Sequence, residues 1–475
     1  MAAKIACYRT SSQILRILSQ PITSCGVHLD MKHYDVFILG TGTAGKLVAN
    51  RCADAGLTVG IIDNREYGGT CSQRGCDPKK LMLASSEALE AARNMKGDGI
   101  TGDIAINWID VYNYARRYAQ DIPDNTEEFL KELGVDRHHG EGYFVDEKTF
   151  RYGDTSLTAD KFVIATGMKP LELKIPGAEH LLTSDDFFNL KDLPEKVLFI
   201  GGGYVGMEFS HMLARAGVKV TVVEQGEQLL PPFEKYTVDF LKECSEELGI
   251  DILLNSQAAA VEKDGDRFIV KYSKDGILHQ VTSDLIFNTA GRVPSIKQLQ
   301  LENAGVVTDR SGIVVNEYFQ STSNERFYAC GDVSSKNVPL TPLSGLEANI
   351  AAKNITEGKH AFIPVDIPSV AFTIPQVAGI GLTEKQAKAT GKKFKVFFQN
   401  ASGWFNTRRI KAGCYAYKVI VDEETRMVLG AHIISHEAGE TINIFSVAMN
   451  HDITFQYLQQ TIFTYPSWAN DIKSF

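Results

Sequence analysis

Cys71 and Cys76 are separated by four residues in the run GGTCSQRGCDPKK. Two thiols at that spacing suit three situations. They can be unrelated buried cysteines, part of a metal site, or a dithiol that closes to a disulfide by giving up two electrons. A metal site needs further ligands, which are not nearby. The neighbours favour redox chemistry. Gly68 and Gly69 precede the pair, and Pro78 follows it at a predicted helix start. The positive end of that helix, with Lys79 or Lys80, can then stabilise a thiolate.

The elements that must position this pair are legible on either side of it. From Tyr34 the chain reads as strand (DVFIL), glycine turn (GTGTAG), helix and strand (LTVGIID), the opening of a parallel βαβ unit. Gly40 and Gly42 permit the tight turn and close approach of the backbone to a pyrophosphate, and Gly45 permits helix-to-strand packing. Asp63 ends the second strand, where an acid accepts a hydrogen bond from an adenosine ribose. About 160 residues later the pattern recurs as KVLFI, GGGYVG, a helix and VKVTVVE. Gly201, Gly203 and Gly206 form the second turn, and Glu224 is the second terminal acid. Two such units imply two bound dinucleotides. An acid at Glu224 accepts a free 2′-hydroxyl and repels a 2′-phosphate, which favours NADH over NADPH. Beside such a unit, the cysteine pair is placed for two-electron exchange with a flavin.

Composition bounds the rest. The 475 residues exceed what one core fills, and a hydrophobic fraction of 44% can fill several domains. With 58 acidic against 49 basic residues the net charge is −9, which opposes binding to nucleic acid or an anionic membrane surface. No apolar run approaches the ~20 residues of a spanning helix. Eight scattered cysteines do not make a secreted disulfide framework. That argues for a reducing compartment, the cytoplasm. The first 30 residues carry Lys4, Arg9 and Arg16 and no acid before Asp30, as mitochondrial presequences do, so the mitochondrial matrix is the alternative. Met31, directly before the first strand, competes as the true start.

In combination the motifs resemble the class I pyridine nucleotide-disulfide oxidoreductases, the family of glutathione reductase, dihydrolipoamide dehydrogenase and mercuric reductase. The FAD turn, the cysteine pair, the ATG strand end, GGGYVGME, GRVPS, ACGD and LTPL follow in the family's order from Tyr34 to the C-terminus. The resemblance implies an α/β fold with two Rossmann-like domains, for FAD and NAD, and a C-terminal α+β interface domain. The expected bounds are a leader at 1–30, an FAD domain at 31–167 and 291–363, an inserted NAD domain at 168–290 and an interface domain at 364–475. It further implies that Cys71 attacks the acceptor, and that Cys76 faces the flavin as a thiolate. Glu208 would pair with Lys79 or Lys80 beside the flavin, and Tyr204 would cover the nicotinamide pocket. Asp332 would bind the FAD ribityl chain, and the helix after Thr341 would aim its positive end at the flavin. Further cofactor contacts fall on Gly69, Thr70, Ala165, Thr166, Gly167, Gly291, Arg292, Gly331 and Leu340. A homodimer is implied, and no metal.

One departure affects function. Where most disulfide reductases of the family have a His-Pro motif followed by a glutamate, this chain reads Tyr465-Pro466-Ser467-Trp468-Ala469-Asn470. A phenol donates a hydrogen bond but shuttles protons poorly near neutral pH. Mercuric reductases also lack the dyad but carry a C-terminal cysteine pair, absent from Ile472-Lys473-Ser474-Phe475. The leading expectation is NADH-dependent reduction of a disulfide, on a small molecule or a protein. A metal-ion or quinone reductase is the alternative, and a non-enzymatic flavoprotein partner the third.

Overall fold

A glycine turn between a buried strand and a helix occurs twice, and each copy seeds its own parallel sheet. The computed structural model describes residues 31–336 and 338–475, so the expectations for residues 1–30 lie outside the described residues. Around the first copy, strand Lys32–Leu39 lies between Val59–Asp63 and Thr155–Ile164, with Val36 opposite Val59 on one side and Lys161 on the other. Strand Phe327–Ala329 then pairs in parallel with Phe162 to Ile164, so a segment far along the chain completes the first sheet. The closure is aromatic: the buried rings of Phe144, Phe162 and Phe327 lie within 5.2 Å of one another, centroid to centroid.

The second copy builds a four-stranded parallel sheet in the order Ile250–Leu253, Lys219–Val223, Lys196–Ile200, Leu285–Asn288. Two antiparallel strands, Gly142–Phe144 and Thr149–Tyr152, extend the first sheet, and the parallel strands of both sheets carry buried side chains on both faces. That is why runs such as KVLFI are continuously apolar rather than alternating. The chain enters and leaves this second unit through one antiparallel pair, Met168–Pro170 with Arg292–Pro294. The last part is a five-stranded antiparallel sheet in the order Ser369–Ala371, Gln376–Gly381, Val428–Ser435, Ala416–Asp422, Phe394–Asn400. Helix Ala438–Asn450 packs on that sheet. The mixed α/β fold is therefore as expected. Among the described residues, no helix is long and apolar enough to cross a membrane.

Two local differences from the sequence reading matter. The ATG segment read as a strand end lies just past the strand, which stops at Ile164, so Ala165, Thr166 and Gly167 follow it as irregular chain. The helix expected to start at Pro78 starts at Cys76, and Cys71 has a short helix of its own, Gly69–Arg74. Pro78 tolerates the early start because the amides of a first helical turn have no intrahelical acceptor to lose.

A buried ion cluster joins the second unit to the C-terminal sheet. Lys418 lies 2.8 Å from Glu234 and 2.7 Å from Glu384, and the Glu384 amide donates to Glu234 at 2.9 Å. Burial opposes the charged form of each partner. Hydrogen bonds from Lys418 and the Glu384 amide nevertheless hold the Glu234 carboxyl below its usual range, and the two carboxylates raise Lys418. Lys418→Ala should destabilise the fold by about 3–5 kcal/mol because it leaves Glu234 buried and uncompensated, whereas Lys418→Met with Glu234→Leu should be close to neutral. Glu234 contributes stability above the ordinary glutamate range (~4.3) and loses it as pH falls through its depressed folded value. Denaturant unfolding of the three proteins between pH 7 and pH 3 checks both points, since the double variant should lose this share of the acid sensitivity.

Candidate active site

Gly75 separates the two cysteines and lets them face each other. A Cβ there would meet the Thr70 carbonyl oxygen at 2.8 Å and the Cys71 Cα at 3.1 Å, so only glycine permits the break between helix Gly69–Arg74 and helix Cys76–Asn94. Cys76 then becomes the first residue of a 19-residue helix, where the peptide dipoles favour negative charge. Thr341, first residue of helix Thr341–Thr356, donates its hydroxyl to Cys71 Sγ at 3.2 Å and lies 3.8 Å from Cys76 Sγ. Two helix N-termini therefore converge on the sulfurs.

The two thiols share one proton unequally. A hydrogen bond from Cys71 lowers Cys76 to about 6; burial works the other way, and the Lys79 ammonium adds to the lowering. The same hydrogen bond, with burial, pushes Cys71 far up. At neutral pH the arrangement is a Cys76 thiolate beside a Cys71 thiol.

Lys79 sits one turn along from Cys76 and pairs with Glu208 at 2.8 Å. Lys80, the other candidate for that pair, turns away to Glu87 at 3.1 Å. Glu208 is 1% exposed, and its second oxygen accepts from the Phe372 amide at 2.7 Å. The Phe372 ring lies under both ammonium groups, 4.7 Å from Lys79 Nζ and 4.6 Å from Lys80 Nζ. One turn beyond Glu208, buried His211 accepts from the Ile374 amide at 3.2 Å through Nδ1, and its Nε2 donates to Ser245 at 2.9 Å. Burial holds this imidazole neutral. Residues 372–374 are thus fastened to helix Tyr204–Arg215 by three hydrogen bonds, the third from the Arg215 guanidinium to the Ile374 carbonyl at 3.1 Å. Phe372 and His211 escaped the sequence reading, because no spacing marks a residue that reaches a site from another sheet.

The glycine turns flank this centre in matching form. Gly40 and Gly201 have φ of 104° and 110°, open to glycine but strained for other residues. In each turn the residue after that glycine binds the terminal acid. Thr41 donates to Asp63 Oδ2 from its amide at 2.8 Å and its hydroxyl at 2.7 Å, and the Gly202 amide donates to Glu224 at 2.7 Å. Glu224 also accepts from the Gly226 amide at 2.6 Å and is buried, so it does not point into solvent. Gly203 and Gly206 open the second turn's helix, and a Cβ on Gly206 would meet Thr289 Oγ1 at 2.8 Å. A Cβ on Gly69 would strike the Gly42 Cα, so the first turn and the cysteine segment touch, with Thr70 directly before Cys71.

Several polar groups fit a bound dinucleotide. Thr166 Oγ1 is buried and has no protein partner, which suits a bound group beyond the strand ends at Ile164 and Ala329. Burial pushes the Asp332 carboxyl up, against the nearby Arg292 cation, and Ser344 donates to it at 3.4 Å. The Gly331 amide donates to Glu347 at 2.7 Å, and Leu340 caps the helix that begins at Thr341. Arg292, after Gly291, holds the Met168 carbonyl at 2.6 Å at the neck of the second unit. Tyr204, 48% exposed, stands at the start of its helix within reach of the charges of Arg292, Glu208, Asp332 and Cys76. Tyr465 does not join the group. It is 72% exposed on the C-terminal part of the chain, with Lys473 over its ring at 5.8 Å.

Comparison with known proteins agrees with this geometry. Residues 34–348 match the family described as pyridine nucleotide-disulphide oxidoreductase, and residues 367–474 match its dimerisation domain. A glutathione reductase of Nostoc sp. is 31% identical over 460 residues, covering 92% of this chain and 98% of its own. A mercuric reductase of Lysinibacillus sphaericus is 30% identical, covering 93% of this chain and 82% of its own. The solved Cu(II) complex of the HOCl-induced flavoprotein disulfide reductase RclA from Escherichia coli superposes with a TM-score of 0.83 at 26% identity, over 94% of this chain and 99% of that one.

In a pH titration of the reduced protein by thiolate difference absorbance, with Cys76→Ser as blank, the Cys76 transition should centre near about 6. Cys71→Ala should move it up most, because it removes the largest stabilising contact. Lys79→Gln should move it up by about one unit or more, and Lys79→Arg should restore it. A transition indifferent to both Cys71 and Lys79 would contradict the assignment of the thiolate.

Proposed function

Since this chain belongs to the pyridine nucleotide-disulphide oxidoreductase family, we propose that it passes electrons from NADH, in preference to NADPH, through Cys76 and Cys71 to a disulfide acceptor. It is an enzyme, an FAD-dependent oxidoreductase that uses a pyridine nucleotide. The observation that carries the reading is the meeting of Cys71 and Cys76 at the Thr341 hydroxyl, 3.2 Å and 3.8 Å from it, beside the Lys79–Glu208 pair. Such a dithiol can be remade from its disulfide and then attack a second disulfide.

In this reading Gly40, Gly42, Gly45, Asp63, Gly69, Thr70, Ala165, Thr166, Gly167, Gly331, Asp332, Leu340 and Thr341 would hold FAD. Gly201, Gly203, Gly206, Glu224, Gly291 and Arg292 would hold the nicotinamide nucleotide under Tyr204. Bound FAD supplies the relay by which a hydride's electron pair reaches the Cys71–Cys76 disulfide. The chain's residues then handle protons and sulfur. Lys79, fixed by Glu208 and Phe372, holds positive charge beside Cys76 when the disulfide opens. Thr341 donates to Cys71. When Cys71 gives its proton to solvent or to the departing thiol, its thiolate attacks the acceptor disulfide and releases one thiol. The Cys76 thiolate then attacks the Cys71 sulfur and restores the protein disulfide, and the second thiolate leaves and takes up a proton from water.

The family's dimerisation domain and the exposed Ile462, Tyr457 and Tyr465 support a homodimer, in which Tyr465 would complete the partner's site. We assign the reaction to the cytoplasm. Because Tyr465 and Asn470 stand where an acid pair would serve the leaving thiol, acceptors that release weakly basic thiolates are the preferred class.

Two experiments test this. Stopped-flow reduction of the holoprotein should show a higher kcat/KM for NADH than for NADPH, and Glu224→Ala should narrow the gap by about 1–3 kcal/mol in the ratio. A higher value for NADPH would sink the reading of Glu224. Across aromatic disulfides of graded leaving-group acidity, wild-type turnover should fall steeply as the leaving thiol becomes more basic. Tyr465→His with Asn470→Glu should flatten that slope and recover part of the ~10²–10⁴ that a missing acid costs. Fast wild-type turnover of glutathione disulfide or lipoamide would contradict it, and turnover confined to Hg²⁺ or Cu²⁺ would overturn the disulfide acceptor itself.

A further inference from the structure

Asp77 has no part in the proposed reaction, yet it directly follows Cys76. Their Cα atoms are therefore ~3.8 Å apart, and the two side chains occupy neighbouring positions of one first helical turn. Asp77 Oδ2 accepts the Tyr118 hydroxyl at 3.0 Å. Tyr118 stands in the last turn of helix Trp108–Ala119, which packs along helix Cys76–Asn94 and also touches the short helix that carries Cys71. Tyr118 is 46% exposed, so this carboxylate–phenol pair lies on the solvent side of the sulfurs, whereas Glu208 is buried.

The lysines that follow Asp77 are committed elsewhere, Lys79 to Glu208 and Lys80 to Glu87. Lys46, on helix Thr43–Asp54, feels the charge of Cys71 and Asp77, but burial lowers its ammonium. Among the described residues Asp77 Oδ1 takes no hydrogen bond and no ion pair, and the Tyr118 hydroxyl fixes the other oxygen. The helix dipole favours an acid in a first turn. Here the same charge also opposes ionisation of both thiols, which the reaction requires. A carboxylate so placed hinders the sulfurs and serves what approaches them. An ammonium group on the acceptor can pair with Oδ1, and an anionic acceptor is repelled.

We propose that Asp77, held in place by Tyr118, selects acceptor disulfides that carry a positive charge close to the S–S bond over anionic ones. This rests on the disulfide acceptor assigned above and names its charge class, the disulfides of aminothiols. Asp77 determines specificity and Tyr118 positions it; neither exchanges a proton with the reacting sulfurs. An ammonium beside the departing sulfur also makes its thiolate less basic. The acceptors that Asp77 selects are thus also those that the replacement of the acid pair by Tyr465 and Asn470 requires.

The test treats the reduced holoprotein with 2-(trimethylammonium)ethyl or 2-sulfonatoethyl methanethiosulfonate, reagents of opposite charge with the same leaving group. A protein thiolate attacks the sulfenyl sulfur of either, forms a mixed disulfide and displaces methanesulfinate. Loss of alkylatable thiol from the peptide that carries Cys71 and Cys76, followed by mass spectrometry, gives the two rates. Asp77→Asn should lower the cation-to-anion rate ratio by about fivefold or more, because one attraction and one repulsion are removed together. Asp77→Glu should keep the ratio, Tyr118→Phe should lower it in part, and salt at ~1 M should shrink it in the wild type. A change in thiolate population acts on both reagents alike and cancels. A ratio unchanged in Asp77→Asn, or indifferent to salt in the wild type, would overturn the proposal. The salt series needs no substitution, so it decides if a variant fails to fold. The expected ratios in a protein that turns over no disulfide would uphold the charge selection and overturn the disulfide acceptor instead.

Discussion

The hydrogen bond between Cys71 and Cys76 makes one constraint govern the site: two sulfurs must lie close enough to exchange a bond while only one of them keeps a proton. Closeness comes from the backbone. Gly75 breaks the chain between two helices, and any side chain there would collide with Thr70 and Cys71. The unequal proton follows from the hydrogen bond that Cys71 gives Cys76, to which a cation on the Cys76 side adds. Lys79 stands beside Cys76, while Thr341 makes its shorter contact to Cys71. Removing the lysine would also leave Glu208 buried without its counter-ion, so thiolate chemistry and local stability share one ion pair.

That ion pair ties the three parts of the fold together. Lys79 belongs to the helix after the first glycine turn, Glu208 to the helix of the second, and the Phe372 amide that binds Glu208 to the C-terminal part. A carboxylate with 1% exposure is costly unless all its oxygens are engaged, and here each oxygen takes a partner from a different part of the chain. The site therefore acts as a lock on the arrangement of the sheets around it. The Glu234–Lys418–Glu384 cluster repeats the device at the far side of the second unit, without any reacting group.

What the sequence made legible follows from range. The glycine turns, their terminal acids and the cysteine pair depend on contacts within about twenty residues; in the structure Asp63 and Glu224 each bind the residue after the first glycine of their own turn, a contact that the spacing alone did not announce. Duplication of the turn announced two parallel sheets. The start of the helix at Cys76 was misread because proline usually marks a first turn, yet here it sits two residues inside. The choice between Lys79 and Lys80 was undecidable from spacing, since neighbouring helical positions differ by ~100° and only the location of Glu208 selects one. Phe372 and His211 depend on packing between distant segments, for which sequence carries no periodic signal.

The central claim is that electrons from the nicotinamide nucleotide reach Cys71 and Cys76. It is tested most directly by counting thiols in the peptide that carries both residues, in the anaerobic holoprotein, before and after one equivalent of NADH. The account predicts a disulfide before addition and two alkylatable thiols after it, with the other cysteines unchanged. A peptide with two free thiols in the oxidised protein, or a disulfide that survives NADH, would contradict it.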